Sequence, residues 1–193
     1  MMNNNVVEIS AEITPNPNTL KFNVNKTLIQ SGSINFPDKE KAKGALLPSK
    51  LFEIQNVLGV MIGPNFITVT KAPAAGWQML VEPVTKTIKE LLSSGAVLFP
   101  QAASEGTPGG APAGQAPTTE IERKIMEILD TEIRPAVNMD GGDITFHGYY
   151  DGVVTLHLQG SCSSCPSSIM TLKMGVENRL KSLIPEIREV VQV

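Results

Sequence analysis

Between Gln101 and Pro117 the chain reads QAASEGTPGGAPAGQAP, in which twelve of seventeen residues are Gly, Pro or Ala and none is a large apolar group. A stretch of that composition buries too little surface to offset the entropy of ordering it. It therefore divides the 193 residues into a first domain, 1–100, a flexible linker, 101–117, and a second domain, 118–193. As a free coil the linker would hold its ends about 20 to 25 Å apart on average, enough to let one domain swing around the other. The fold class expected is α+β: two small mixed α/β domains, each with its own core.

Hydrophobic residues make up 41% and charged residues 18%, an ordinary balance for soluble globular protein. The formal charge of −3 hides an asymmetry: residues 1–100 carry nine Lys against seven acids, and 118–193 carry seven basic groups against eleven acids. Neither part is basic enough to suggest nucleic acid as a partner. No apolar run reaches membrane-spanning length, so no membrane partner is expected. Met1-Met2-Asn3-Asn4-Asn5-Val6 lacks both a secretory pattern and the Arg-rich amphipathic pattern of a transit peptide. The expectation is a cytoplasmic protein, in which thiols stay reduced.

In the first domain, strands at 6–13 and 19–24 flank Thr14-Pro15-Asn16-Pro17-Asn18, where two prolines withhold backbone donors and force a turn. A second strand pair, 57–62 and 66–70, surrounds Gly63-Pro64-Asn65. Ser49 is a candidate N-cap for a short helix carrying Leu51, Phe52 and Ile54. From Gly76 to Ser93, apolar residues recur at three- and four-residue steps, predicting a helix with Trp77 on its core face. Lys39, Lys41 and Lys43 read as a solvated loop, and the domain contains no Cys or His.

The second domain reads helix, strand, strand, helix, strand. Ile121, Ile125, Ile128, Leu129 and Ile133 outline the first helix, capped by Thr118 or Thr119 and ended by Pro135. Asp151-Gly152 is a favoured hairpin turn, after which Val154, Leu156 and Leu158 share one strand face and His157 takes the other. Ile169, Leu172, Val176, Leu180 and Leu183 form the stripe of the second helix, and Pro185 closes it. A last strand over 187–193 completes a small mixed sheet with both helices on one face.

The chain's two cysteines, Cys162 and Cys165, sit where the second strand of this domain hands over to its second helix, with Pro166 placed as first helical residue. Two thiols are half of a four-thiolate site for zinc or an iron-sulfur cluster. A second copy of the chain, related by a twofold axis, would complete the set. Helix N–H groups and the dipole would favour thiolate, and the surrounding serines would let another backbone approach a partly exposed site. Asp140 and Asp143 could pair as acid and base, but Gly141-Gly142 between them fits a tight turn better. His147 and His157 could ligate metal, and each is more often a surface or hydrogen-bonded histidine.

Asp140-Gly141-Gly142-Asp143-Ile144, the Asp151-Gly152 turn, and Gly160-Ser161-Cys162-Ser163-Ser164-Cys165-Pro166-Ser167-Ser168 through Thr171-Leu172-Lys173 resemble the Nfu domain, the C-terminal domain type of NifU. Thr14-Pro15-Asn16-Pro17, Lys21-Phe22 and the run from Phe66 to Lys71 resemble the N-terminal domain of Nfu proteins. The resemblance covers nearly everything except the linker. It implies a non-enzymatic carrier, a homodimer bridged by a 4Fe-4S cluster ligated by Cys162 and Cys165, with apo iron-sulfur client proteins and upstream scaffold proteins as partners. Two other readings share the Cys-x-x-Cys loop. A thioredoxin-like thiol-disulfide reductase would use Cys162 as nucleophile, but it needs a larger sheet than this domain offers. A zinc-bridged structural dimer would use the same four thiolates.

Overall fold

The computed structural model describes residues 6–30, 32–99, 119–163 and 166–193. The linker and Cys165 lie outside the described residues. In the first domain, β1 (Ile9–Ile13), β2 (Thr19–Val24), β3 (Ile34–Phe36), β4 (Val57–Ile62) and β5 (Phe66–Lys71) form an antiparallel sheet in the order β1-β2-β5-β4-β3. Alternation sends Phe22, Val60, Ile62, Ile67 and Val69 to one face. There they pack against Leu47 and Leu51 of α1 (Leu46–Leu51) and Val84, Ile88 and Leu92 of α2 (Val81–Ser94).

Three local expectations change. Ser49 lies inside α1 rather than at its cap: Ala45 takes that position, and the Ser49 hydroxyl donates to the Ala42 carbonyl at 2.6 Å. The helix expected from Gly76 is split into a 3₁₀ turn, Trp77–Met79, and α2. Trp77 packs half-buried against the core while its Nε1 donates to the Pro17 carbonyl at 3.0 Å. β3, three residues long, is too short to display a period of two and was not anticipated.

The second domain starts with α3 (Glu120–Ile128), capped by a reciprocal pair in which Thr119 Oγ1 accepts from the Glu122 amide and Glu122 accepts from the Thr119 amide. Pro135 does not end the helix. A single π turn over Leu129–Ile133 leads straight into α4 (Arg134–Met139), with Pro135 in its opening turn. The wider turn relieves the clash between the proline ring and the carbonyl four residues back, so the chain stays helical and Val137 reaches the core. β6 (Gly142–Tyr150), β7 (Val153–Gly160) and β8 (Glu189–Gln192) form the sheet, β6/β7 antiparallel and β7/β8 parallel. Asp151 and Gly152 turn the hairpin with φ of 45° and 83°.

The second helix, α5 (Pro166–Leu183), starts at the expected proline. Val176 and Leu180 fill the core, but Leu183 is exposed, and Ile184 just past the helix end is buried instead. No helix among the described residues is long and apolar enough to cross a membrane.

The two domains are not free of one another. The sheet face of the first domain turned away from α1 and α2 has no cover of its own, yet Met61 and Thr68 on it are each 1% exposed. The cover comes from the second domain. Thr68 Oγ1 donates to the Gly141 carbonyl at 2.8 Å, Asn16 Nδ2 to the Ser161 carbonyl at 3.1 Å, and Lys21 Nζ to the Met139 carbonyl at 3.3 Å. This corrects the expectation of domains able to swing independently. That expectation came from the composition of the linker, which carries no information about the surfaces at either end.

Candidate functional site

β7 runs out at Gly160, and a 3₁₀ turn, Ser161–Ser163, begins the connection to α5. Gly142 at the start of β6 pairs with Gly160 at the end of β7, so the Asp140–Asp143 run lies beside the cysteine loop. Ser161 ties the two together: its amide donates to the Gly141 carbonyl at 3.2 Å and its hydroxyl to the Asp140 carbonyl. Cys162 then turns inward. Its side chain joins the core of the second domain at 5% exposure, with the Ser161 hydroxyl 3.7 Å from the sulfur. A methyl group at Gly142 would fall 2.5 Å from Cys162 Sγ and 3.0 Å from the Gln159 carbonyl oxygen, so the absent side chain creates the slot that the sulfur fills. The expectation of a partly exposed cysteine pair is corrected for Cys162. The serine-rich composition suggested a wet loop, whereas the glycine across the hairpin supplies a place to bury the thiol.

Asp140 and Asp143 do not form a carboxylate pair. Asp140 is exposed at the end of α4, and Asp143 is fully buried. Asp143 Oδ1 accepts from Arg134 Nε at 3.1 Å and from the Ile144 amide at 2.8 Å, and its Oδ2 accepts from Ser33 Oγ of the first domain at 2.5 Å. Arg134 is held in turn by Asp130 at 2.5 Å and by the Ile144 carbonyl at 3.1 Å. The charge is paired and every carboxylate oxygen has a donor, which is the condition for burying it.

His147, at the bulge of β6, and His157 on β7 are exposed neighbours. Partial shielding by the sheet, and then the charge of His147, hold the His157 imidazole below the usual histidine range. Among the described residues no three of His, Cys, Asp and Glu gather at one point as a metal site. Cys162 is placed at the expected junction, and Cys165 lies outside the described residues. What the sequence reading missed is the first domain's share: Asn16, Ser33 and Thr68 all reach the segments that frame Cys162. Asn16 sits in the Thr14-Pro15-Asn16-Pro17 run at 2% exposure, and nothing in the sequence links it to Ser161.

The chain is thus a two-domain α+β protein in which an antiparallel sheet backed by helices docks on a domain with a cysteine at a strand-to-helix junction. Residues 125–191 match the NifU-like domain and 9–95 match the scaffold protein Nfu/NifU N-terminal domain. The chain belongs to the Nfu/NifU scaffold family. It is 44% identical over 186 residues to the NFU1 iron-sulfur cluster scaffold homolog, mitochondrial, of Homo sapiens, covering 96% of this chain and 71% of that protein. The homolog of the same name in Drosophila ananassae is 41% identical over 186 residues, covering 96% of this chain and 64% of its relative. The solution structure of a NifU-like protein from Saccharomyces cerevisiae matches with a TM-score of 0.46 at 22% identity, over 52% of this chain and 91% of that one.

Both relatives are designated mitochondrial, which overturns the cytoplasmic expectation. That expectation rested on the pattern of the first six residues, whereas a compartment address is read by a receptor and leaves no mark on a folded core.

Proposed function

We propose that the chain is a carrier that holds a 4Fe-4S cluster between two protomers, takes it from upstream scaffold proteins and delivers it to apo client proteins. Cys162 and Cys165 are the ligands, two from each chain, and the domain bounds 1–100, 101–117 and 118–193 separate a ligand-free domain from the one that binds. The observation that carries this reading is the placement of Cys162 at the β7-to-α5 junction, three residues from the chain's other cysteine, in a protein with only two. A cubane needs four ligands, and one chain supplies two thiols.

The cluster is cargo, so the chain's contribution is reversible holding. A ligand set split across a subunit interface falls apart when the subunits separate, which is the property a donor needs.

Anaerobic reconstitution with iron and sulfide should yield a dimer containing about one cubane per two chains. Cys162→Ser and Cys165→Ser should each abolish stable loading. A loaded monomer without an external thiol would exclude the shared cluster. Zinc at the same stoichiometry, with no sulfide retained, would point to a structural dimer, and metal-independent turnover of a disulfide substrate would point to a reductase.

A further inference from the structure

We propose that the open sheet face of the first domain is a docking surface for the cysteine loop of its own chain, holding Cys162 inward until a cluster is loaded. The inference rests on the shared-cluster reading for its second half only.

The surface is built for that loop and is already occupied by it. Asn16 Nδ2 donates to the carbonyl of Ser161, the residue bonded to Cys162. The Gly141 carbonyl accepts from both Thr68 Oγ1, at 2.8 Å, and the Ser161 amide, at 3.2 Å, so one oxygen joins the first domain to the cysteine loop. Ser33 closes on Asp143, two residues along β6, and Lys21 on the last carbonyl of α4. Met61 meets the backbone at Gly160, where an added methyl group would lie 2.8 Å from its sulfur. Every buried side-chain nitrogen and oxygen among the described residues has a partner, so the seam is chemically complete.

The consequence follows from geometry. A cysteine 5% exposed and packed in the core of its own domain cannot, from that position, meet the sulfurs of a second protomer at one metal cluster. To ligate, Cys162 must leave its slot, and the backbone on its N-terminal side is pinned at the Ser161 carbonyl by Asn16 and at the Ser161 amide by the Gly141 carbonyl, so a loop that re-aims the cysteine by a backbone change has to break those bonds. Docking and cluster bridging are therefore competing states of one loop. Cluster loading draws the chain to the undocked state in proportion to its preference for that state. It also uncovers the Asn16 turn and the sheet face carrying Lys21, Met61 and Thr68.

The test starts with one thiol. In full-length Cys165→Ser protein, which does not depend on any cluster, Cys162 should react slowly with a maleimide. Adding Asn16→Asp, which keeps the Oδ1 that accepts from the Asn18 amide but removes the donor to Ser161, should speed the reaction on the order of tenfold. Thr68→Val, matched in shape, should act in the same direction, and an unchanged circular dichroism spectrum shows that the domains remain folded. Equal labelling rates in all three proteins would overturn the docking. In the otherwise wild-type chain, iron and sulfide should then remove hydrogen-exchange protection from Ser161 and raise the radius of gyration per chain. If the cluster loads and that protection persists, the competition is wrong. If no cluster loads while the labelling behaves as stated, the docking stands and the shared-cluster reading fails.

Discussion

Two residues decide most of the local chemistry. Gly142 is required because Cys162 Sγ occupies the space of a side chain. Gly142→Ala should therefore displace the cysteine, destabilise the chain by about 1 to 3 kcal/mol as overpacking does, and impair cluster loading; urea melts and iron content are the measurements. Asp143 is buried with Arg134 on one side and Ser33 on the other. Asp143→Ala leaves the Ser33 hydroxyl and the Ile144 amide without their acceptor while the guanidinium, 14% exposed, keeps Asp130, and a loss of about 1 to 3 kcal/mol in unfolding free energy is expected. His157 predicts a pH effect. The folded state holds its imidazole below the ordinary 6.5, so the unfolded chain takes up the proton first as the solution is acidified. Stability is unaffected well above that value and falls as pH drops through it. His157→Gln should flatten this decline in melts compared at about pH 7.5 and about pH 5.5.

Among the elements, the α3–α4 helix shows how one residue's cost is absorbed by a change of helical pitch. Pro135 lacks the N–H that an α-helix needs, and the π turn before it lets the axis continue to Met139, whose carbonyl Lys21 reaches. The start of the same helix is fixed by the Thr119–Glu122 box. Thr119→Ala should cost about 1 kcal/mol in chemical denaturation, since it leaves the Glu122 amide without its acceptor. The strand pairs, the Asp151-Gly152 turn and the start of α5 at Pro166 are legible in the sequence. Each rests on contacts within a few residues, where alternation, proline and glycine act directly. The three-residue β3 and the π turn were not legible, because the first is too short for a period and the second answers to packing around Val137.

For the whole molecule, the seam changes what a fragment should do. The second domain has its own core, so residues 118–193 are expected to fold alone. Without Asn16, Ser33 and Thr68, however, the fragment should be less stable than the same domain in the full chain, by an amount on the order of the three lost hydrogen bonds, about 1 to 4 kcal/mol. Comparing hydrogen exchange at Ile144 and Leu158 in fragment and full-length protein measures this, and equal protection would mean that the seam adds nothing to stability.

The sequence by itself determined the two cores, most element positions and the pairing of a strand-to-helix junction with Cys-x-x-Cys. Hydrophobic period and turn residues act over short stretches, and the order of the motifs carried the family. Only the tertiary structure decided that Cys162 points inward and that the first domain bonds to the backbone beside it. Those outcomes depend on a glycine across a hairpin and on partners such as Asn16 and Ser161, 145 residues apart, which no local pattern can bring together.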